Sequence, residues 1–246
     1  GGHIVRYLGI EPKKPRVAVF DLTGCEGCEL QLANKEETLV PFLEAIEIVA
    51  FREISSASSD RYDVAFIDGC VTRADEVERL IKIRERADLL VALGSCACFG
   101  GVNRMKNHRG DLGDMHREVY GDGIPRETLP TRAVKEVVPV DLELPGCPVD
   151  KAEVERAVTH LVWELPFALP SHPVCYECKQ NFTVCSFDRG QLCVGPVTRG
   201  GCRAPCPAGG LACWGCRGPA PEANLEELRV VAAERGYSAR ELEERL

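Results

Sequence analysis

Eight cysteines lie between Cys175 and Cys216, and their thiols are the groups of this chain best suited to chemistry. They occur in "CYECKQNFTVCSFDRGQLC" and, a few residues later, in "CRAPCPAGGLACWGC". Cysteine thiolates in groups of four bind zinc or iron–sulfur clusters. The surrounding residues 171–220 are rich in Gly, Pro and Cys and poor in aliphatic side chains, so they bury too little apolar surface to order themselves. We therefore expect bound metal to hold this segment together.

The charges and aromatic side chains of the segment bear on which metal it binds. Glu177 and Asp188 stand against five cations, which are Lys179, Arg189, Arg199, Arg203 and Arg217. Basic surroundings stabilise anionic iron–sulfur clusters. Because "CYEC" and "CWGC" each also match half of a zinc knuckle, a structural zinc scaffold stays an alternative. The aromatic residues either shield a cluster from water or pack in a core; they are Tyr176, Phe182, Phe187 and Trp214.

The other six cysteines each follow a predicted strand. Apolar runs with β-branched residues predict strands at residues 16–22, 46–51, 63–68, 89–94 and 137–144. The cysteines come after the first, third, fourth and fifth runs, in the order Cys25 and Cys28, Cys70, Cys96 and Cys98, and Cys147. Ligands of open parallel sheets bind beyond the carboxyl ends of the strands, so these thiols are expected to converge on a metal centre. Cys70 and Cys98, taken singly, also fit the role of a small buried apolar residue.

Strands alternate with helical patterns in this part of the chain, which predicts a flavodoxin-like α/β domain with a parallel sheet. One helix is expected to begin near Cys28. A second follows a capping box of Thr72 and Asp75, and its apolar face consists of Val77, Leu80, Ile81 and Ile83. A third has Pro148 in its first turn and carries Val154, Val158, Leu161 and Val162 at helical spacing.

The sequence predicts three parts. Residues 1–168 form the α/β domain, residues 169–220 a small irregular metal-binding domain and residues 221–246 an acidic helical tail. The tail has an apolar stripe of Leu225, Leu228 and Val231, with Leu242 and Leu246 in a second short helix after Gly236. By default we expect the tail to pack on itself or to remain solvated; docking on the rest of this subunit or on a neighbouring subunit is the alternative.

Composition excludes several classes of partner. The 246 residues are 45% hydrophobic and 28% charged, as in ordinary globular proteins, and carry a formal net charge of -8. Without a long basic run, such a chain is not expected to bind nucleic acid or an anionic membrane surface. No apolar stretch approaches the length of a membrane span. The start has no apolar signal region and no twin-arginine motif, and the end has no anchor, so a cytoplasmic location is expected.

Six separated motifs carry a family resemblance. They are "DLTGCEGCELQL", "ALGSCACFGG", "ELPGCPVD", "PVCYEC", "CVGPVTRGGC" and "CWGCRGP", and they span about residues 15–219. In this order they resemble the small subunit of nickel–iron hydrogenases. The resemblance is to the soluble branch, which includes the delta subunit of sulfhydrogenases and the small subunit of hydrogenases linked to heterodisulfide reductase. It implies an electron-transfer subunit with three 4Fe-4S clusters.

The resemblance implies which cysteines hold each cluster. The proximal set consists of Cys25, Cys28, Cys96 and Cys147; the medial set of Cys202, Cys206, Cys213 and Cys216; and the distal set of Cys175, Cys178, Cys185 and Cys193. Cys70 and Cys98 stay unassigned. His172 stands where uptake hydrogenases have a histidine ligand, but Cys178 supplies a fourth thiolate, so His172 is not expected to be a ligand. Glu26 and Glu29, beside the first two cysteines, are expected to be solvated or interfacial.

The resemblance also implies partners. Hydrogen would be split at a nickel–iron site in a separate large subunit, because no candidate residues for that centre remain in this chain. Electrons would pass onward to a flavin module that reduces NAD(P) or to an iron–sulfur adaptor of heterodisulfide reductase. Two alternatives stay open. One is the small subunit of respiratory complex I or of an energy-converting hydrogenase, which has only the proximal cluster. The other is the zinc scaffold.

Overall fold

A parallel sheet of five strands forms the centre of the N-terminal part. The computed structural model describes residues 14–33, 47–51, 61–122, 128–163 and 165–245. The strands are β1 (Arg16–Asp21), β2 (Glu47–Phe51), β3 (Tyr62–Asp68), β4 (Ala87–Leu93) and β5 (Leu142–Leu144). All neighbours pair in parallel, in the order β2-β1-β3-β4-β5. This order is that of flavodoxin-like proteins, so the predicted fold class is confirmed.

Helices lie between the strands and in the part of the chain that comes after the last strand. Their bounds are α1 (Gly27–Ala33), α2 (Ala74–Arg86), α3 (Gly94–Phe99), α4 (Leu112–Tyr120), α5 (Lys151–Val162), α6 (Val174–Gln180), α7 (Pro205–Ala208), α8 (Leu225–Glu234) and α9 (Ala239–Glu243). Short 3-10 helices cover Gly101–His108, Val134–Glu136 and Phe187–Arg189. Each helix in the described ranges is too short or too polar to cross a lipid bilayer.

The sheet is covered on both faces because successive strand residues point to opposite sides. Phe20 of β1 and Ile67 of β3 pack with α2 through Leu80 and Ile83. On the opposite face, the packing partners are Val17, Val19, Phe66, Cys28 of α1 and Val154 and Val158 of α5. Two-sided burial explains why these strands read as nearly continuous apolar runs.

The fifth strand is shorter than predicted. Only Leu142–Leu144 pairs with β4, whereas the prediction began at residue 137. The amides of Val137 and Val138 both donate to the Val134 carbonyl at 3.0 Å, which closes a turn instead of a ladder. Pro139 follows and has no amide hydrogen to donate to a neighbouring strand. These two valines still pack on the core, so their apolar character reflects burial rather than strand structure.

Two helix starts differ from prediction in their capping residues. Glu76, not Asp75, caps α2, because its carboxylate accepts the amides of Thr72 at 2.8 Å and Arg73 at 3.1 Å. Helix α5 begins after Asp150, whose side chain accepts the Glu153 amide, so Pro148 precedes the helix. The predicted apolar face of α2 is also partly wrong. Glu76, Leu80 and Ile83 point inward at helical spacing, which turns Ile81 toward solvent.

The tail packs against the eight-cysteine segment. Leu228 and Ala232 of α8 and Leu242 of α9 are buried in one apolar cluster with Val174, Val194, Cys213 and other residues of that segment. Gly236 joins the two helices with a φ of 85°, a conformation that favours glycine. Leu225 is exposed, and Leu246 lies outside the described residues. The helices therefore add apolar area that the segment itself lacks; the domain boundaries stay a prediction.

Candidate metal centres

The proximal set gathers at the carboxyl edge of the sheet. Cys25 and Cys28 lie in the loop and helix after β1, Cys96 lies on α3 after β4, and Cys147 follows β5. Burial raises the pKa of the Cys96 thiol to about 12, and the charges of Cys147 and Cys25 add to the rise. Burial likewise raises the pKa of Cys28, with smaller contributions from Asp68, Cys96 and Cys147. The four thiols are thus close enough to repel one another when ionised.

Glycines shape the space around these thiols. Gly94 has a φ of 84°, and a Cβ there would collide with the Cys28 Sγ. A Cβ on Gly101, whose φ is 54°, would lie 2.7 Å from the Cys96 Sγ. Only glycine leaves the thiols this room at these backbone conformations. The two glycines therefore let the backbone approach the Cys28 and Cys96 sulfur atoms closely.

The distal set is built by one helix and the loop after it. Helix α6 carries Cys175 and Cys178, and Cys185 and Cys193 follow in irregular chain. Burial raises the pKa of Cys175 to about 12, and the charges of the other three thiols contribute in the same direction. Cys185 is exposed, whereas Cys193 is buried. The structure therefore brings all four residues of this set together near the surface.

The medial set centres on Cys216. Burial raises its pKa, and the Cys206 charge adds to that effect. Cys202 and Cys213 each have a pKa raised first by burial, to about 11 and about 12, and each also senses the Cys216 charge. Cys206 lies on the short helix α7 and is exposed. These four residues form a third thiol group.

Hydrogen bonds join the three sets in a row. The Ser95 hydroxyl, next to Cys96, donates to the Cys216 carbonyl, which links the proximal set to the medial set. The backbone amide of Cys213 donates to the Cys193 Sγ at 3.3 Å, which links the medial set to the distal set. The medial set thus lies between the other two, although it comes last in the sequence.

The donor chemistry fits iron–sulfur clusters. Metal binding requires thiolates, and the raised pKa values show that these buried thiols resist ionisation unless a cation compensates the charge. No three His, Cys, Asp or Glu side chains within the described ranges lie close enough together to hold a single metal ion. An iron–sulfur cluster has a separate iron for each thiolate and occupies more room than one ion. Such a cluster fits sets of four thiols better than a single ion does.

The three remaining candidates lie outside these sets. Cys98 is fully buried in the core, and its Sγ approaches the Ala92 carbonyl at 3.5 Å, so it packs as a small apolar residue. Cys70 is also buried, and its thiol donates to the Thr23 carbonyl at 3.2 Å. The charge of an ionised Cys70 nevertheless contributes to the raised pKa of Cys96. His172 places its Nε2 3.0 Å from Glu177 Oε1 and stacks on Tyr176. The histidine therefore faces a carboxylate.

Two acidic residues near the thiols, Asp68 and Glu29, are buried. Asp68 ends β3, is buried and accepts the Gly69 amide at 2.7 Å. Burial raises its pKa, and Cys28 lies within hydrogen-bonding reach. Glu29 is also buried, not solvated as expected. A charged residue at the end of an apolar strand was the available signal for Asp68; nothing in the sequence distinguishes Glu29 from an exposed helical glutamate.

The core role, one of the two predicted for the aromatic residues, is confirmed for one residue of four. Phe187 is buried in the core of the eight-cysteine segment, whereas Tyr176, Phe182 and Trp214 are exposed. Trp214 is covered on one side by Arg245, whose guanidinium carbon lies 3.4 Å from the ring centroid.

Comparison with known proteins now identifies the family. A family model described as NADH ubiquinone oxidoreductase, 20 Kd subunit, matches residues 25–161, which is more than half of the chain. Subunit delta of sulfhydrogenase 2 from Pyrococcus furiosus is 38% identical over 204 residues, covering 81% of this chain and 84% of that protein. The chain belongs to this family as a hydrogenase small subunit.

Two further matches agree. A subunit of the F420-non-reducing hydrogenase of Methanocaldococcus jannaschii is 27% identical, with 81% of this chain and 80% of that protein covered. A crystal structure of an NAD+-reducing [NiFe]-hydrogenase contains a chain that superposes with a TM-score of 0.55 at 26% identity, covering 64% of this chain and 96% of that one. This hydrogenase small subunit is an iron–sulfur electron-transfer component of an oxidoreductase complex.

Proposed function

We propose that this small subunit carries electrons between the nickel–iron site of a large subunit and an acceptor-reducing partner, with three 4Fe-4S clusters held by twelve cysteines. The observation that carries the proposal is the row of three thiol sets joined by the Ser95–Cys216 and Cys213–Cys193 hydrogen bonds. Each cluster, when bound, supplies a one-electron carrier. The Cys213 amide donates to the Cys193 sulfur, and such donors tune cluster potentials.

The ligand assignment follows the thiol sets. We assign Cys25, Cys28, Cys96 and Cys147 to the proximal cluster, Cys202, Cys206, Cys213 and Cys216 to the medial cluster, and Cys175, Cys178, Cys185 and Cys193 to the distal cluster. The mutual effects of the thiol charges within each set support this grouping. The hydrogenase relatives favour these assignments over a zinc scaffold and over a complex I subunit. The eight cysteines beyond residue 161 also exceed what a proximal cluster alone requires.

The two ends of the row suit two different partners. Cys25 and Cys147 are exposed, as are Val102 and Met105 on the 3-10 helix that follows Cys96, and we propose that this face meets the large subunit. At the other end Cys185 is exposed. The nearby apolar side chains of Val184 and Phe182 are exposed too, and that of Phe182 is 95% exposed. We propose that the acceptor-reducing partner docks there, because exposed apolar side chains beside a ligand are typical of protein interfaces.

The electron acceptor is determined by the partner subunit, and we propose two classes of partner. The solved relative is NAD+-reducing, and the Methanocaldococcus relative is F420-non-reducing. We accordingly propose either a flavin module that reduces NAD(P) or an iron–sulfur adaptor of heterodisulfide reductase. NAD(P) is a cytoplasmic carrier, and a cytoplasmic location is part of the proposal. Cell fractionation with an antibody against this chain tests it.

Metal analysis tests the proposal as a whole. Iron, zinc and acid-labile sulfide are measured anaerobically in the purified pair of small and large subunits and in the large subunit alone. The difference is expected to be about twelve irons and as many sulfides. About two or three zinc ions with little sulfide would replace the electron-transfer proposal with the zinc scaffold. About four irons would leave only the proximal cluster and favour the complex I type of subunit.

A further inference from the structure

A buried ion pair lies between the proximal and medial sets. The side chain of Arg217, directly after Cys216, is 1% exposed, and that of Glu153 on α5 is 3% exposed. The Arg217 Nη2 lies 2.8 Å from Glu153 Oε1. Burying two charges is costly unless both are paired and fully hydrogen-bonded. A pair kept at this place requires a role that apolar packing cannot fill.

The guanidinium of Arg217 joins the loops of the two sets. Its Nη1 donates to the Pro145 carbonyl at 2.7 Å, two residues before the proximal residue Cys147. Its Nε donates to the Gly200 carbonyl at 2.7 Å, two residues before the medial residue Cys202. The Ser95 hydroxyl, next to Cys96, donates to the Cys216 carbonyl and spans the same junction. A planar fork of donors can satisfy three acceptors in fixed directions, which a lysine cannot.

A glycine at position 201 leaves room for this ion pair. Gly201 has a φ of 111°, and a Cβ there would lie 2.5 Å from Arg217 Nη2 and 2.8 Å from Glu153 Oε1. The charge of the arginine also lies beside the medial thiols. Arg217 directly follows Cys216, and its guanidinium donates to the Gly200 carbonyl, two residues before Cys202. The cation therefore stabilises negative charge at the medial set.

We infer that Arg217, held by Glu153, is a positioning residue that fixes the medial set against the proximal set and favours the reduced state of a cluster bound there. This inference rests on the proposed function, in particular on the medial cluster. Reduction adds one electron, supplied by hydrogen oxidation in the complex, and makes the cluster more negative. A buried cation at this junction favours that state, and Glu153 limits the effect.

The test compares substitutions of opposite charge in the purified hydrogenase complex. Arg217→Gln removes the cation, so the midpoint potential of the medial cluster, followed by EPR during redox titration, is expected to become more negative. Glu153→Gln removes the anion and is expected to shift the same potential in the positive direction. Arg217→Lys keeps the charge but not the fork, so it is expected to shift the potential least while slowing hydrogen-driven acceptor reduction severalfold.

Arg203→Gln is the matched control. Arg203 joins the same junction by pairing with Asp150 at 2.6 Å, but its side chain is exposed and screened by water. Its potential shift is expected to be much smaller than that of Arg217→Gln. Shifts of the same sign in Arg217→Gln and Glu153→Gln, or no shift in either with the medial signal intact, would overturn the inference. A missing medial signal in the unaltered complex would instead refute the three-cluster proposal.

Discussion

Two cysteines of α3, Cys96 and Cys98, show how position decides the role of a thiol. They lie two residues apart, so a helix turns their side chains to different sides. Cys96 faces the proximal set, whereas Cys98 is enclosed by core residues of the sheet. Position after the fourth strand placed both cysteines at an expected metal centre; the family resemblance then chose Cys96 as a ligand and left Cys98 open. The fold supplies the missing distinction because it orients α3 against the sheet.

Alanine substitutions of these two residues provide a matched test. Cys96→Ala is expected to lose the proximal cluster, about four irons per complex, because a thiolate ligand is missing. Cys98→Ala is expected to keep the full iron content and to destabilise folding by about 1 kcal/mol, a typical cost of one core substitution. Iron analysis and denaturant unfolding measure both effects. Iron loss in Cys98→Ala that matches Cys96→Ala would contradict the separation of roles.

Phe182 is another residue with an unusual environment. Its φ of 53° is a left-handed conformation that costs a residue with a Cβ about 1–2 kcal/mol, and its ring is almost wholly exposed. Phe182→Gly is therefore expected to stabilise the free protein by about 1 kcal/mol. The same change removes an apolar contact at the proposed docking face, so reduction of the physiological acceptor is expected to slow.

Methyl viologen serves as the control acceptor for Phe182→Gly, since a small dye needs no protein docking face. Its hydrogen-driven reduction is expected to be unchanged. Equal slowing with both acceptors would point to damage of the distal site instead of lost docking.

At the scale of elements, periodicity predicted the sheet better than it predicted the ends of elements. Apolar runs located all five strands because strands buried on both faces need continuous apolar sequence. The same rule overextended β5, since Val137 and Val138 are buried in a turn. Capping side chains also misled: Thr72 does have an acidic partner, but the carboxylate that reaches it is Glu76. Which of two neighbouring acidic residues caps a helix depends on the orientation of the helix about its axis, and the sequence does not specify that orientation.

The tail helices give a prediction at this scale. Leu242 of α9 is 1% exposed and packs in the cluster that includes Cys213. Leu242→Ala is expected to cost about 2–5 kcal/mol, as buried leucine truncations do, and to loosen the eight-cysteine segment. Iron is expected to be lost from the medial and distal sites before the proximal site, as followed by EPR during mild heating. Leu225→Ala, at a residue 39% exposed, is the control and is expected to have little effect.

At the scale of the whole molecule, spacing alone defines two groups of four thiols within residues 175–216 but does not say which group lies nearer the sheet. The family resemblance predicted that order, with the set that comes last in the sequence in the middle of the row. The Ser95–Cys216 and Cys213–Cys193 hydrogen bonds agree with this order. They form between segments far apart in the chain, where no periodic pattern can signal them.

The position of the distal set at the end of the row predicts a split between two activities. Cys193→Ser is expected to reduce hydrogen-driven reduction of the acceptor partner to near background, because an outer ligand is lost. Hydrogen–deuterium exchange at the large subunit is expected to continue, since it needs no electron to leave. Both activities are measured on fully assembled complex, with Cys98→Ala as the control that keeps both. Equal loss of both in Cys193→Ser would contradict an outer position for this residue.

The path of the chain through its thiol sets has a consequence for how such a subunit changes in length. From Cys147 the chain runs to the far end of the row, forms the distal set, and only then returns to form the middle one. A chain cut back from its carboxyl end would lose the middle of the row first and keep an isolated outer site. Under the proposed function, a shortened chain that still transfers electrons must therefore lack all eight of these cysteines. The segment from Cys175 to Cys216 acts as a single unit, because neither of its thiol sets extends the row without the other.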